Sequence, residues 1–104
     1  MDISDVNNFI ETVQNLVTED TVTNYSSLTP AVISVTEGGK YFKVISGGSC
    51  WGFISKYDGH FKGIPIKVGD LMKGANWSSP AKHSRGNILD GTASYGVYGP
   101  TYLK

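Results

Sequence analysis

Ala31-Val32-Ile33-Ser34-Val35-Thr36, Tyr41-Phe42-Lys43-Val44-Ile45-Ser46 and Cys50-Trp51-Gly52-Phe53-Ile54-Ser55-Lys56 follow one another along the chain, each rich in β-branched and aromatic residues. Such residues pack well on a pleated, half-buried surface. Glu37-Gly38-Gly39-Lys40 lies between the first two runs, and Gly47-Gly48-Ser49 between the second and third. A glycine pair supplies the positive φ angles of tight hairpin turns. Three strands with glycine turns predict an antiparallel meander. Alternation along the third run puts Trp51 and Phe53 on one face, and Cys50, Gly52 and Ile54 on the other.

Upstream, Val6, Phe9, Ile10, Val13, Leu16 and Val17 recur at the spacing of one helix face. The pattern predicts an amphipathic helix over about residues 5–17, capped by Ser4 or Asp5. Asn7, Asn8, Glu11, Gln14 and Asn15 fall on its other face. About three turns are too short to be stable alone in water, so the helix must dock on its own sheet, a partner or a second copy. Thr18 to Pro30, rich in Thr, Ser, Asn and acids, reads as a polar connector.

Downstream the pattern breaks up. Tyr57-Asp58-Gly59-His60 is a turn signal, and the proline of Gly63-Ile64-Pro65-Ile66 disfavours a central strand. Val68 to Lys73 fits one more short strand, Ala75 to Asp90 has no clean period, and Ser94 to Leu103 fits a final edge strand around Tyr95, Val97, Tyr98 and Tyr102. The expected fold class is α+β: one N-terminal amphipathic helix plus a small curled antiparallel β-sheet or incomplete barrel. It is read as a single domain over 1–104, with an acidic helical segment (1–18), a polar connector (19–30) and a basic, aromatic, β-rich body (31–104).

The chain has 104 residues, 9 basic against 9 acidic, and the zero sum hides a division. Residues 1–39 carry six acids and no lysine or arginine, −6; residues 40–104 carry nine bases and three acids, +6. They also hold ten of the twelve aromatics. An acidic arm with a basic, partner-binding body fits this split, and so does mutual neutralisation within one fold or across a dimer. The single cysteine, Cys50, excludes an internal disulfide framework and a cysteine-built zinc site. No apolar run approaches ~18 residues, so no membrane span is expected. The acidic start, Met1-Asp2-Ile3-Ser4-Asp5, lacks the features of a signal peptide, and an intracellular protein is expected.

The most distinctive stretch runs from Trp77 to Asn87. Lys82 offers a point charge, His83 a titratable one, and Arg85 a planar fork suited to phosphate or carboxylate. Ser84 and the Gly86 and Asn87 amides add donors, and Trp77 offers a stacking face for a base. These seven form the candidate ligand site, against the alternative of a solvated basic loop with Trp77 in the core. Lysines and aromatics also interleave at Lys40-Tyr41-Phe42-Lys43, Lys56-Tyr57 and Phe61-Lys62, a pattern that suits single-strand binders and, for any one aromatic, suits core packing better. Catalytic signals are thin. A Cys50–His83 or Cys50–His60 dyad competes with Cys50 as a small hydrophobe in a strand. A metal site from His60, His83 and Asp58 has no ligand signature. No catalytic residue, metal or cofactor is expected.

The run Gly69-Asp70-Leu71-Met72-Lys73-Gly74-Ala75-Asn76-Trp77-Ser78-Ser79-Pro80-Ala81-Lys82-His83-Ser84-Arg85-Gly86-Asn87-Ile88 resembles a group of small uncharacterised bacteriophage proteins. Trp51-Gly52-Phe53-Ile54 and Tyr98-Gly99-Pro100-Thr101-Tyr102-Leu103 resemble the same group, so the likeness spans roughly 40–104. It implies a phage origin and action in the host bacterial cytoplasm, and it assigns no reaction. The expected function is a non-catalytic module holding nucleic acid or a nucleotide-like anion on the basic aromatic body. The alternatives are an inhibitor that binds a host enzyme or defence complex, and a minor structural part of the virion. A homodimer is compatible with each.

Overall fold

A computed structural model of the chain describes residues 1–77 and 79–101, with Lys82 described by its backbone alone. The order is α1 (Ile3–Asn24), β1 (Ile33–Glu37), β2 (Tyr41–Ser46), β3 (Ser49–Ser55), β4 (Gly59–Phe61), β5 (Ile64–Ile66), β6 (Asp70–Gly74), β7 (Pro80–Asn87), β8 (Tyr95–Gly96) and β9 (Gly99–Pro100). Five strands form one antiparallel sheet in the order β1-β2-β3-β6-β7; β4 pairs with β5 and β8 with β9 as separate hairpins. The fold is α+β, and the five-stranded sheet stays open between edge strands β1 and β7.

The meander forms as expected, and α1 docks on it. Val6, Phe9, Val13 and Val17 are buried against Ile33, Phe42, Val44, Trp51, Ile54 and Leu71. Full burial of one such side chain is worth about 1.5–3 kcal/mol, so four contribute roughly 6–12 kcal/mol gross. That is ample to hold a helix that would melt alone. The helix is longer than the hydrophobic period predicts, running on to Asn24 through residues expected as connector. The polar side chains there bond within the helix: Thr21 Oγ1 donates to the Val17 carbonyl at 2.9 Å and Asn24 Nδ2 to Asp20 Oδ1 at 2.8 Å. At the other end Asp2, and neither Ser4 nor Asp5, is the N-cap; Asp5 Oδ2 accepts the Asp2 N–H at 3.0 Å.

Alternation fails in β3. Val44 pairs with Gly52 and Ile45 with Cys50, leaving Trp51 as an extra, bulged residue. The bulge resets the period, so Trp51 enters the helix-side core while Phe53 and Cys50 face the other side. The expected placement of Trp51 and Phe53 on one face is thereby corrected. On the far side Phe53, Met72 and Ile66 form a second core, with Tyr41, Cys50, Tyr57 and Phe61 packed against it. The β4–β5 hairpin covers part of this face. β3 is buried on both sides from Trp51 to Ser55, as β6 is at Leu71 and Met72.

The segment without a clean period folds as β7, an edge strand of the main sheet. Its register with β6 slips twice, from Asp70↔Asn87 to Met72↔Ser84 to Gly74↔Pro80. Those extra residues erase the alternation that would have marked a strand. The expected last strand is reduced to the small β8–β9 hairpin around Tyr95; Tyr102 and Leu103 lie outside the described residues.

Candidate functional site

The two sides of the sheet differ in charge. Asp2, Asp5, Glu11, Glu19 and Asp20 all belong to the α1 layer and stay out of the core. Among the described residues the ion pair is Lys56–Glu37, 2.6 Å apart, and no helix carboxylate reaches a lysine or arginine of the body. The acidic helix therefore folds back onto the sheet without a direct ion pair to it among the described residues.

The opposite face is built by strand register. Tyr41 and Lys43 are two apart on β2 and point the same way, beside Phe53, the cross-strand partner of Lys43. Tyr41 makes edge-to-face contacts with Phe53, Tyr57 and Phe61, ring centroids about 6 Å apart. Its hydroxyl shares a 3.4 Å hydrogen bond with that of Tyr57; burial, and then this bond, hold the phenol above its usual range. Lys40 lies 5.9 Å from the Tyr57 ring centroid and Lys62 5.3 Å from that of Phe61. At the other end of the face Lys43 Nζ sits 3.2 Å from the centroid of Trp77.

Trp77 is 51% exposed at the tip of the β6–β7 hairpin. Bonds across the turn hold that tip: Ala75 N–H donates to the Ser79 carbonyl at 2.9 Å, and Ser79 N–H to Asn76 Oδ1 at 2.9 Å. The arrangement offers a half-open indole with a cation already beside it, continuous with an aromatic, lysine-bearing surface. Lys43 was legible only as part of an alternating run; nothing in the sequence places it against Trp77.

The other residues expected at the site divide. His83 is exposed on β7. Lys82 is placed on β7 by its backbone; its side chain lies outside what is described. Arg85 is only 9% exposed, and burial lowers the guanidinium pKa. It donates Nε–H to the Thr101 carbonyl at 3.0 Å and Nη1–H to the His83 carbonyl, tying β7 to the end of β9. Ser84 Oγ both accepts from Gly86 N–H and donates to the Gly86 carbonyl, each at 3.1 Å. Asn87 Nδ2 donates to the Val68 carbonyl at 2.8 Å and to Asp70 Oδ1 at 3.0 Å, closing the corner where β6 begins. Arg85, Ser84, Gly86 and Asn87 thus spend their polar groups on the fold, whereas Trp77 and His83 face solvent.

Cys50 lies beside Lys43 on the second face, and burial pushes its thiol pKa up despite the lysine. A nucleophilic cysteine needs the opposite shift. Neither histidine is among the groups acting on it. Among the described residues no three His, Cys, Asp or Glu side chains come together as metal ligands, and no helix is long and apolar enough to cross a membrane. In comparison with known proteins, no family model, no curated protein and no solved structure matches the chain.

Proposed function

We propose that this protein is a non-catalytic module that binds single-stranded nucleic acid on the sheet face turned away from the acidic helix. The observation that carries the reading is Lys43 lying over the half-exposed Trp77 ring on the same face as Tyr41, Tyr57, Phe61, Lys40 and Lys62. A base stacked on the indole would bring its phosphate towards Lys43, and the other lysines would follow the backbone. Base–aromatic stacking is worth about 1–3 kcal/mol. One stack alone falls short of the ~4 kcal/mol of a millimolar complex. A strand that engages several rings and lysines is therefore favoured over a free nucleotide. Action inside an infected bacterium, implied by the likeness to phage proteins, belongs to the same proposal.

The test is tryptophan fluorescence titrated with short oligothymidylate and oligouridylate at several salt concentrations. Trp51 is buried, so quenching on binding reports Trp77. The expected result is quenching of Trp77, weaker affinity in Lys43→Ala, a steep loss of affinity with salt, and about tenfold weaker binding of Trp77→Ala when followed by the anisotropy of a dye-labelled oligonucleotide. Affinity unchanged by salt, or binding that survives Trp77→Ala undiminished, would overturn the proposal.

A further inference from the structure

The C-terminal end of α1 borders a groove of about 260 Å³ between the helix, the connector and the β8–β9 turn. Val17, Ala31 and Val97 line it together with Tyr25, Leu28 and Tyr98. The last three are 49%, 62% and 82% exposed, two phenol rings and a leucine side chain that present apolar surface to water. Exposed apolar groups around a concave, polar-rimmed surface mark interaction sites more often than accident.

Its charge has one sign. Asp20 lines the groove, and Glu19 lines the adjoining hollow, which Asp20 and Val97 also border. The last helical turn carries no basic residue, so the partial negative charge of the helix C-terminus stands uncompensated. No lysine or arginine occurs anywhere in residues 1–39 to offset it. A two-fold contact through this groove would bring Glu19 and Asp20 of two copies together, and an anionic lipid surface would be repelled in the same way.

We infer that this groove docks a cationic amphipathic segment of a partner protein, its apolar side chains seated between Tyr25, Leu28 and Tyr98 and its lysines or arginines facing Asp20 and Glu19. The inference is independent of the nucleic-acid reading, since the groove lies on the helix side of the sheet and shares no residue with the aromatic face. Together the two surfaces would make the chain an adaptor with a basic face and an acidic one.

The test is an amide NMR titration of the full chain with a synthetic amphipathic leucine–lysine helix, and with its leucine–glutamate counterpart bearing the same leucine positions. The lysine peptide is expected to shift Asp20, Tyr25, Leu28, Val97 and Tyr98 while the glutamate peptide does not. Asp20→Lys, Leu28→Ser and Tyr98→Ser are each expected to weaken binding about tenfold. Leu28 and Tyr98 are exposed, while Asp20 is half-buried and accepts from Asn24, so an unchanged unfolding midpoint, required above all of Asp20→Lys, separates lost docking from lost folding. Equal binding of the glutamate peptide, no effect of the two serine variants, shifts spread along the whole acidic helix, or no shift at millimolar peptide would each overturn the inference. So would sedimentation showing a dimer that Tyr98→Ser abolishes, because the occupant would then be a second copy.

Discussion

Replacing Gly86 by alanine tests whether this glycine serves the fold, as its surroundings indicate, or a ligand, as its place in a basic stretch of sequence suggests. Gly86 has φ +93°, and a Cβ there would stand 2.0 Å from the Thr92 carbonyl oxygen and 2.8 Å from Ala93 Cα. Both obstacles are backbone, so no rotamer change relieves them. The 87–94 loop would have to swing away, straining Asn87 N–H to Thr92 Oγ1 (2.9 Å), Ala93 N–H to the Asn87 carbonyl (3.2 Å) and Ser94 N–H to the Arg85 carbonyl (2.7 Å). The left-handed backbone costs an alanine about 1–2 kcal/mol. Losing two of the three bonds adds about 1 kcal/mol each. Gly86→Ala should therefore cost about 3–4 kcal/mol, a large part of the roughly 5–15 kcal/mol that holds such a domain together. Gly91 is the control, with φ +78° but nothing within 4 Å of its would-be Cβ. Gly91→Ala should cost only the conformational part, about 1–2 kcal/mol. Urea unfolding followed by far-ultraviolet circular dichroism measures both. If the two variants fall within about 0.5 kcal/mol of each other, close to the error of such comparisons, the steric reasoning is wrong.

Three further outcomes follow from the packing. Gln14 Nε2 donates to the Ala31 carbonyl at 2.9 Å and its Oε1 accepts Ile33 N–H at 2.7 Å, so the side chain covers the start of edge strand β1. Gln14→Ala should cost about 1–3 kcal/mol and, by uncovering the edge, raise light scattering on mild heating. Phe9→Ala opens a cavity beside Trp51 and Tyr95, whose ring centroids lie 5.9 and 5.1 Å away, and should cost about 3–5 kcal/mol by chemical denaturation. Cys50 and Tyr41 both have pKa values raised in the folded chain, so the unfolded state loses these protons first as pH rises. Stability should hold up to the ordinary thiol range near ~8.5 and fall above it, with a further fall in the phenol range. A Cys50→Ala variant whose stability declines just as much between pH 8 and 9.5, on the order of one thiol titration, would remove the thiol from that account.

Local pattern was enough for the helix and the meander. Val6, Phe9, Val13 and Val17 carry a helical period that four buried contacts reward, and glycine pairs mark the turns between β1, β2 and β3. The pattern misled where chain geometry departs from a regular repeat. One extra residue at Trp51 turned the indole to the opposite face from Phe53, and the slips in β7 hid a strand inside what read as a basic loop. The candidate site was legible in its residue types, with Trp77 exposed and lysines interleaved among aromatics. It was not legible in its membership. Arg85 and Asn87 look like ligand groups in a sequence because the same donors that bind phosphate also bind carbonyls, and here the carbonyls of Thr101, His83 and Val68 are nearer.

The sequence by itself determined the α+β class, the presence of an amphipathic helix that must dock on something and the separation of acidic and basic halves, since periodicity and composition act over neighbouring residues. Only the tertiary structure decided that the acidic helix covers one face of the sheet, leaving Lys43 and Trp77 together on the other. Those two residues are far apart in the chain, and what joins them is the order β2-β3-β6-β7, set by the joint packing of two cores.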